Sequence, residues 1–578
     1  MTSSTASRPA EECGSPETPQ PLSDAQREKL LNSLRFSQID SRLGSVKAAH
    51  AKTCSWFLES STYRDWLDPE KLDDHHGFLW IKAKPGAGKS TLMKYVLTRY
   101  RRKFRNSISF FFNARGAELE RTTLGMYRSL LLQLLEPRPH LRHAFDAAEL
   151  ATWNATDDYV WSIESLKRVF EEVVHLLDPS ESVACFIDAL DECPENEIRD
   201  MVEFLENLGD DAVSNQINFR VLLSSRRYPH IAISKGLDIV LEEQDEHFAD
   251  IKKYVESRLK VNTKNVEFRD EILARMQEKA SGVFMWVVLV VDMLNKSHDE
   301  GRPSRYILKK LEDLPGELSD LFRDILMRDP HHRDELLLCL QWILFARRPL
   351  RPDELYCAIN TATEQQLAVW EQDDDQAERF ILNSSKGLAE VVKAKATKIV
   401  QFIHESVRDF LLKEEGLKTL WPELGDDFEA RSHESLKCCC QKYFDMPDVH
   451  ELVQRQELPD KIAESAREEF RLLEYASQNV LFHADAAATR ISQGEFLCQF
   501  PRPLWLVLHN AFEQHRARRY SPNATLLYVL AENNLAALIP AQVSAFGKRG
   551  LDIETERFGI PLYAALATGS RKAALAIL

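Results

Sequence analysis

The stretch Phe78-Leu79-Trp80-Ile81-Lys82-Ala83-Lys84-Pro85-Gly86-Ala87-Gly88-Lys89-Ser90-Thr91 decides the fold. Phe78 to Ile81 is an apolar run of the length of a buried strand, and from Lys89 to about Arg101 the pattern is helical. Between them lie a proline and two glycines, which break regular structure. Ala83 to Ser90 nearly matches G-x-x-x-x-G-K-[ST], with alanine at the first position. Small residues let successive N–H groups curl around phosphates and close on a helix N-terminus, whose dipole favours anions. Pro85, Gly86, Ala87, Gly88, Lys89, Ser90 and Thr91 are therefore the candidate phosphate-binding residues. Lys89 would reach the β- and γ-phosphates, and the Ser90 hydroxyl would ligate Mg²⁺. A plain glycine turn is the competing reading, and the flanking strand and helix weigh against it. The alanine at position 83 matters only if that position needs a positive φ.

Three further strands are predicted downstream, at Ile108 to Phe112, Val183 to Ile187 and Phe219 to Leu223. Helical patterns separate them, among them Thr123 to Leu135 and Trp161 to Leu177. Near-continuous apolar strands alternating with helices predict an α/β fold with a parallel, doubly wound sheet. The third strand runs into Asp188-Ala189-Leu190-Asp191-Glu192, so carboxylates arrive at the carboxyl edge of the sheet, where ligands of such sheets bind. Asp188 is the candidate Mg²⁺ ligand with Ser90. Asp191 and Glu192 are candidates to orient or deprotonate an attacking water, with Glu192 the first choice as general base. An acid-decorated helix N-terminus is the alternative. The fourth strand ends in Ser224-Ser225-Arg226-Arg227, which aims Arg226 at a γ-phosphate unless it is simply a surface arginine.

The rest of the 578 residues sets limits. Lys and Arg number 74 against 90 Asp and Glu, a net charge of −16, so no binding to nucleic acid is expected. The basic run Arg101 to Arg105 reads as a solvated helix end. The ten cysteines include no C-x-x-C pair, and Cys438-Cys439-Cys440 would diverge on a helix, so reduced thiols in a cytoplasmic protein are expected. Val283 to Val291 is too short to span a bilayer and is closed by Asp292; it reads as a buried helix. No signal peptide or membrane segment is identified.

The pattern divides the chain into a disordered tail (1–30), a helical lead-in (31–76), the nucleotide-binding domain (77–235), a helical lid (236–325), a winged-helix domain (326–425), a helical domain (426–520) and an ankyrin-like start (521–578). Leu30 to Leu67 shows one helical apolar face. Glu371 to Glu378 reads as an acidic loop. Leu388 to Val392 and Ile399 to Ile403 form a hairpin followed by a helix from Glu405. Gly559 to Gly569, with Ala573-Ala574 and Ile577-Leu578, resembles one ankyrin repeat, and Asn523 to Ile539 a degenerate preceding unit. A lone repeat cannot bury its own face, so either the chain is truncated or the repeat packs on the helices before it.

In order and spacing, these elements resemble the NACHT branch of the STAND signalling NTPases, within it the fungal NLR-like proteins related to the nephrocystin-3 N-terminal type. Arg42-Leu43 to Ala48-Ala49-His50, Thr53 to Phe57, Phe110 to Gly116 and Ala280 to Trp286 carry the likeness, which covers about residues 36–485. The resemblance implies a lid and a winged helix that close over ADP. Ile403-His404-Glu405-Ser406-Val407-Arg408-Asp409 looks like the M-H-D-type motif of that winged helix, which makes His404 a latch on the ADP β-phosphate. A structural histidine at a strand end is the plainer alternative. The Gly-x-Pro motif of many relatives is not evident around Gly282, and residues 1–35 are too short for the N-terminal effector domain that relatives usually carry.

The expectation is thus a regulated ATP/ADP switch with Mg²⁺, GTP being left open, that hydrolyses slowly and self-assembles when opened. Such a device acts in fungal innate immunity or programmed cell death, with protein partners at the C-terminal helices and repeats. The alternative is a nucleotide-stabilised scaffold or ankyrin-type interaction protein that hydrolyses nothing. A metabolic kinase is weaker, because no second-substrate pocket can be identified.

Overall fold

The computed structural model describes residues 21–36, 39, 41–50, 53–104, 106–114, 116–147, 150, 159–179, 181–227, 233, 235–261, 266–328, 331–363, 374–394, 397–455, 458–547, 550–551 and 556–578. Cys13, Arg105, Arg115 and Glu371 to Asp373 lie outside them. The chain forms two compact units: residues up to Lys260 with Gly282–Val287, and Val261–Ser281 with Val288–Leu578.

The first unit is built on a five-stranded parallel sheet of order β2-β3-β4-β1-β5. Its strands are β1 (Phe78–Lys82), β2 (Ser107–Phe111), β3 (Ser182–Asp188), β4 (Asn218–Ser225) and β5 (Leu237–Val240). Successive side chains of a strand point to opposite faces, and both faces here are apolar. Phe78, Trp80, Val183, Cys185, Ile187, Val221 and Leu223 join one core with the helices Thr123–Leu135, Ile163–His175 and Glu195–Ser214. Leu79, Ile81, Ala184, Phe186 and Leu222 join another with the helix Lys89–Lys103 and the lead-in rings of Phe57, Tyr63 and Trp66. The α/β parallel sheet expected from the sequence is therefore present, with helices on both faces.

Several expectations need correction. The edge strand β5 was not foreseen: four residues with Asp238 among them give too short a signal. The lead-in is not one helical face. The helix Asp24–Ser33 starts inside the span expected to be a tail, where Ser23 and Gln26 form a capping box and Leu30 and Leu31 are buried. It gives way to Ser41–Ser45, a 3₁₀ turn at Ser55–Glu59 and the helix Ser61–Leu67. Cys54 takes a left-handed φ of 66° between them, and Ser60 caps the new start. From Phe284 on, the apolar run Val283 to Val291 lies in the helix Phe284–Asp299, which continues past Asp292. The described part of the acidic loop, from Asp374, is helical, within Asp374–Ser384.

In the second unit three helices, Arg333–Phe345, Pro352–Thr363 and Asp374–Ser384, precede the antiparallel hairpin β6 (Ala389–Ala394) and β7 (Thr397–Phe402). The helix Glu405–Leu412 follows, as the sequence predicts. Phe428–Phe444 packs along Leu473–Ala488. At the C-terminal end the helix pair Leu526–Glu532 and Leu538–Phe546 packs against a second pair, Pro561–Ala567 and Arg571–Ile577. The final pair is thus not alone: Ala564, Ala565 and Ala573 are buried in a shared core with Leu530 and Leu538.

Candidate nucleotide site

The loop after β1 takes the conformation its glycines allow. Gly86 (φ 75°) and Gly88 (φ 104°) are left-handed, while Ala83 is not among the positive-φ residues and lies fully buried. The alanine at the first motif position therefore carries no backbone penalty. Gly88 caps the helix Lys89–Lys103, so the helix N-terminus, with Ser90 and Thr91 in its first turn, opens directly from the loop. Lys89 is half-buried, with Nζ 3.3 Å from Ala83 O and 3.2 Å from Lys84 O. Burial pushes its pKa down, opposed first by the charge of Asp191.

Asp188 ends β3 and is completely buried. Its Oδ1 accepts a hydrogen bond of 2.5 Å from Ser224 on β4, and the Ser90 hydroxyl also bears on the carboxyl group. Its Oδ2 is buried with no hydrogen-bond partner among the described residues. A buried carboxylate oxygen left open beside a serine hydroxyl is a hard oxygen donor set that fits Mg²⁺. Burial raises the Asp188 carboxyl to about 6, against the pull of the Ser224 and Ser90 hydroxyls.

Two other acids part company after Asp188, where Ala189 takes a left-handed φ of 59°. Asp191 turns toward β4: its Oδ1 accepts from Arg226 N at 3.0 Å and its Oδ2 pairs with Arg226 Nε at 2.7 Å. Glu192 turns toward β2: its Oε2 accepts from Ala114 N at 2.9 Å, and its Oε1 lies 3.7 Å from Arg42. Lys89, Ser90, Asp188, Asp191 and Arg226 thus converge at one sheet edge, and Glu192 stands beside them with different partners.

Three groups at the loop escaped the sequence reading. Glu242, just past β5, accepts from Lys84 N at 3.1 Å and from Arg227 Nε at 2.9 Å. Met285 N donates to Gly86 O at 2.9 Å. His247 Nε2, on a ring that burial keeps neutral, donates to Gly282 O at 2.9 Å. The segment around Gly282 therefore meets the loop through main-chain atoms, without the Gly-x-Pro motif. In sequence Arg42 reads only as part of the lead-in, and nothing in a lone arginine there signals Glu192 as its partner.

His404 lies in the second unit. Its backbone is extended, and its Nδ1 accepts from Ser406 N at 3.1 Å, capping the helix Glu405–Leu412. No group of three or more metal-ligating side chains is found among the described residues, and their cysteines are free thiols. No helix among them is long and apolar enough to cross a membrane.

A parallel sheet whose β1 loop, β3 acid and β4 arginine meet at one edge defines a P-loop NTPase. Residues 52–226 match the family described as Nephrocystin 3, N-terminal. It is 26% identical over 383 residues to the vegetative incompatibility protein HET-E-1 of Podospora anserina, covering 62% of this chain and 26% of that protein. The chain thus spans about a quarter of the length of this curated relative. Among solved structures, it is similar to a STAND protein with a tetratricopeptide repeat sensor from Pyrococcus horikoshii, with 13% identity, TM-score 0.35, 93% of this chain and 66% of that one. A Walker-type ATPase of Pyrococcus abyssi aligns with 14% identity and TM-score 0.30, covering 64% of this chain and 99% of that one.

Proposed function

We propose that this chain is a nucleotide-switched signalling NTPase of the NLR kind. It binds ATP or ADP with Mg²⁺ at the β1 loop, hydrolyses ATP slowly, and uses the difference between the two states to control self-assembly and partner binding. The observation that carries this reading is the buried Asp188, with one oxygen free of hydrogen bonds and the Ser90 hydroxyl beside it. The loop N–H groups and Lys89 bind the phosphates, Ser90 and Asp188 hold the metal, and Glu192 is the general base. Bound Mg²⁺ would supply charge neutralisation at the β- and γ-phosphates. Asp191 keeps the Arg226 guanidinium oriented at the same edge for a γ-phosphate. A switch needs only a free-energy difference between states, so slow turnover suffices.

The wider assignments belong to the same proposal. Three helices and a hairpin followed by the helix at Glu405 suit a winged helix over 326–425, with His404 as latch on the ADP β-phosphate. The stacked C-terminal helix pairs suit an ankyrin-like partner surface. Cytoplasmic location and a role in immunity or programmed cell death are part of this reading, supported by the likeness to HET-E-1.

The test is to release, identify and quantify the nucleotide that copurifies with wild type and with Lys89→Ala. Stoichiometric ADP in wild type and none in the variant supports the switch. A wild type that is empty and binds neither ATP nor GTP overturns it. A second reading, a scaffold that binds nucleotide without hydrolysing it, is favoured by one observation: both Glu192 oxygens already have partners. Glu192→Gln separates the two, since only a switch then accumulates ATP-bound oligomer.

A further inference from the structure

Glu192 is held on the side of the site away from the phosphate loop. Ala114, whose N–H binds Oε2, lies just past β2, the edge strand. Two strands, β3 and β4, separate β2 from β1, whose end carries the loop. Arg42, which faces Oε1, projects from the lead-in helix Ser41–Ser45. The charged groups that bear most on Lys89 are Asp191, Arg226, Asp188 and Glu242, and Glu192 is not one of them. Asp191, one residue earlier, faces the opposite way, toward β4.

The pair is also sheltered. The Glu192 and Arg42 side chains are only 8% and 12% exposed. Attraction between charges so placed is screened far less than in a surface pair. Among the described residues, Glu192 is the carboxylate with which Arg42 pairs, and Arg42 Nε is buried without a hydrogen-bond partner. The Arg42 charge also bears on Asp188, so this guanidinium stands among the acids of the site.

We propose that Arg42 restrains the hydrolytic carboxylate: with Ala114 N it holds Glu192 against the β2 end of the site, and separation of Arg42 from Glu192 releases the base for hydrolysis. The inference rests on the reading of Glu192 as general base. In the step it controls, a water oxygen bonds to the γ-phosphorus while the bond from that phosphorus to the β–γ bridging oxygen breaks. ADP leaves with the bonding electron pair, and the water proton passes to the Glu192 carboxylate and then to solvent. A carboxylate held by a cation and an N–H is turned from the attacking water, so the restraint slows this step and leaves nucleotide binding alone. Arg42 is in this sense a positioning residue of the lead-in, which couples the segment before the sheet to turnover.

The experiment uses the full chain and measures single-turnover ATP hydrolysis and ATP Kd for wild type, Arg42→Met, Arg42→Lys and Arg42→Met/Glu192→Gln. The expected result is turnover about tenfold faster in Arg42→Met with Kd changed by less than about twofold. Arg42→Lys should return the rate to near that of wild type, and adding Glu192→Gln should remove the gain. A merely structural arginine would not raise the rate with Kd held, nor be replaced by lysine. If Arg42→Met fails to bind ATP, Arg42→Gln, which keeps a polar head, takes its place. A rate in the variant equal to or below that of wild type, with ATP still bound, overturns the restraint alone. Turnover unaffected by Glu192→Gln, or absent from every chain that binds ATP, overturns the reading of Glu192 and the restraint with it.

Discussion

The Ser224 hydroxyl links two neighbouring strands to one carboxylate: its oxygen lies 2.5 Å from Asp188 Oδ1 and accepts from Ala189 N at 3.0 Å. The contact fixes Asp188 in a rotamer that leaves Oδ2 open, and it supports the left-handed turn at Ala189 that sends Asp191 and Glu192 to opposite sides. A single hydroxyl thus organises the acidic half of the site.

The Asp188 carboxyl gives this site a pH signature. Burial raises it from the ordinary 3.8 to about 6, so the folded state holds the proton more tightly than the unfolded chain. Without metal, its contribution to stability is complete below pH 4 and is lost as pH rises through about 6. Mg²⁺ needs the ionised form, so Mg²⁺-dependent ATP affinity should fall about tenfold per pH unit below that point and level off above it. Titrations of ATP with and without Mg²⁺ between pH 5 and 8 check this. Asp188→Asn should lose both the metal dependence and its slope; a slope that survives in the variant assigns the titration elsewhere.

Gly282 should resist substitution. It has a φ of +80°, and a Cβ built on it would fall 2.6 Å from Glu242 Cβ. Gly282→Ala combines a left-handed backbone penalty with overpacking, together about 2–4 kcal/mol. The displaced Glu242 would also pull on Lys84 N in the loop. Thermal unfolding should show the loss, and ATP affinity should drop with it. Wild-type stability in the variant would mean that the segment moves aside freely.

The nucleotide half of this protein was legible because its chemistry is local. Phe78 to Thr91 states strand, loop and helix in one run, and the apolar runs ending at Asp188 and Ser225 declare buried strands without further context. What was not legible depends on long-range contacts. Glu242 meets Lys84 across 158 positions of sequence, and Ala114 meets Glu192 across 78. No spacing rule reaches that far. The edge strand β5 is too short for a periodicity. The start of the helix Asp24–Ser33 was legible after all, since Ser23 and Gln26 carry the capping spacing within a polar stretch otherwise read as tail.

Ala83 offers a test of how much the first motif glycine contributes. Because its φ is not positive and its methyl is buried, Ala83→Gly should leave ATP affinity within about twofold of wild type. It should cost about 0.5–1 kcal/mol of stability through the greater freedom of glycine in the unfolded chain. Denaturant titration and ATP binding measured on the same preparation check both. Tighter binding by tenfold would show that the methyl obstructs the phosphates.

His404 must be tested in a way that separates a latch from a cap. Its Nδ1 accepts from Ser406 N at 3.1 Å, a role that another good N-cap residue can fill. Asparagine keeps an acceptor there, so His404→Asn should retain wild-type stability to within about 1 kcal/mol. It cannot donate from the far side of an imidazole ring, however. If that donor holds the ADP β-phosphate, a lost hydrogen bond to a charged group worth about 1.5–3 kcal/mol speeds ADP release by about tenfold or more. Release is followed after a chase with excess unlabelled nucleotide. Release at the wild-type rate, with stability unchanged, would leave His404 as the cap of its own helix and place the latch on another residue.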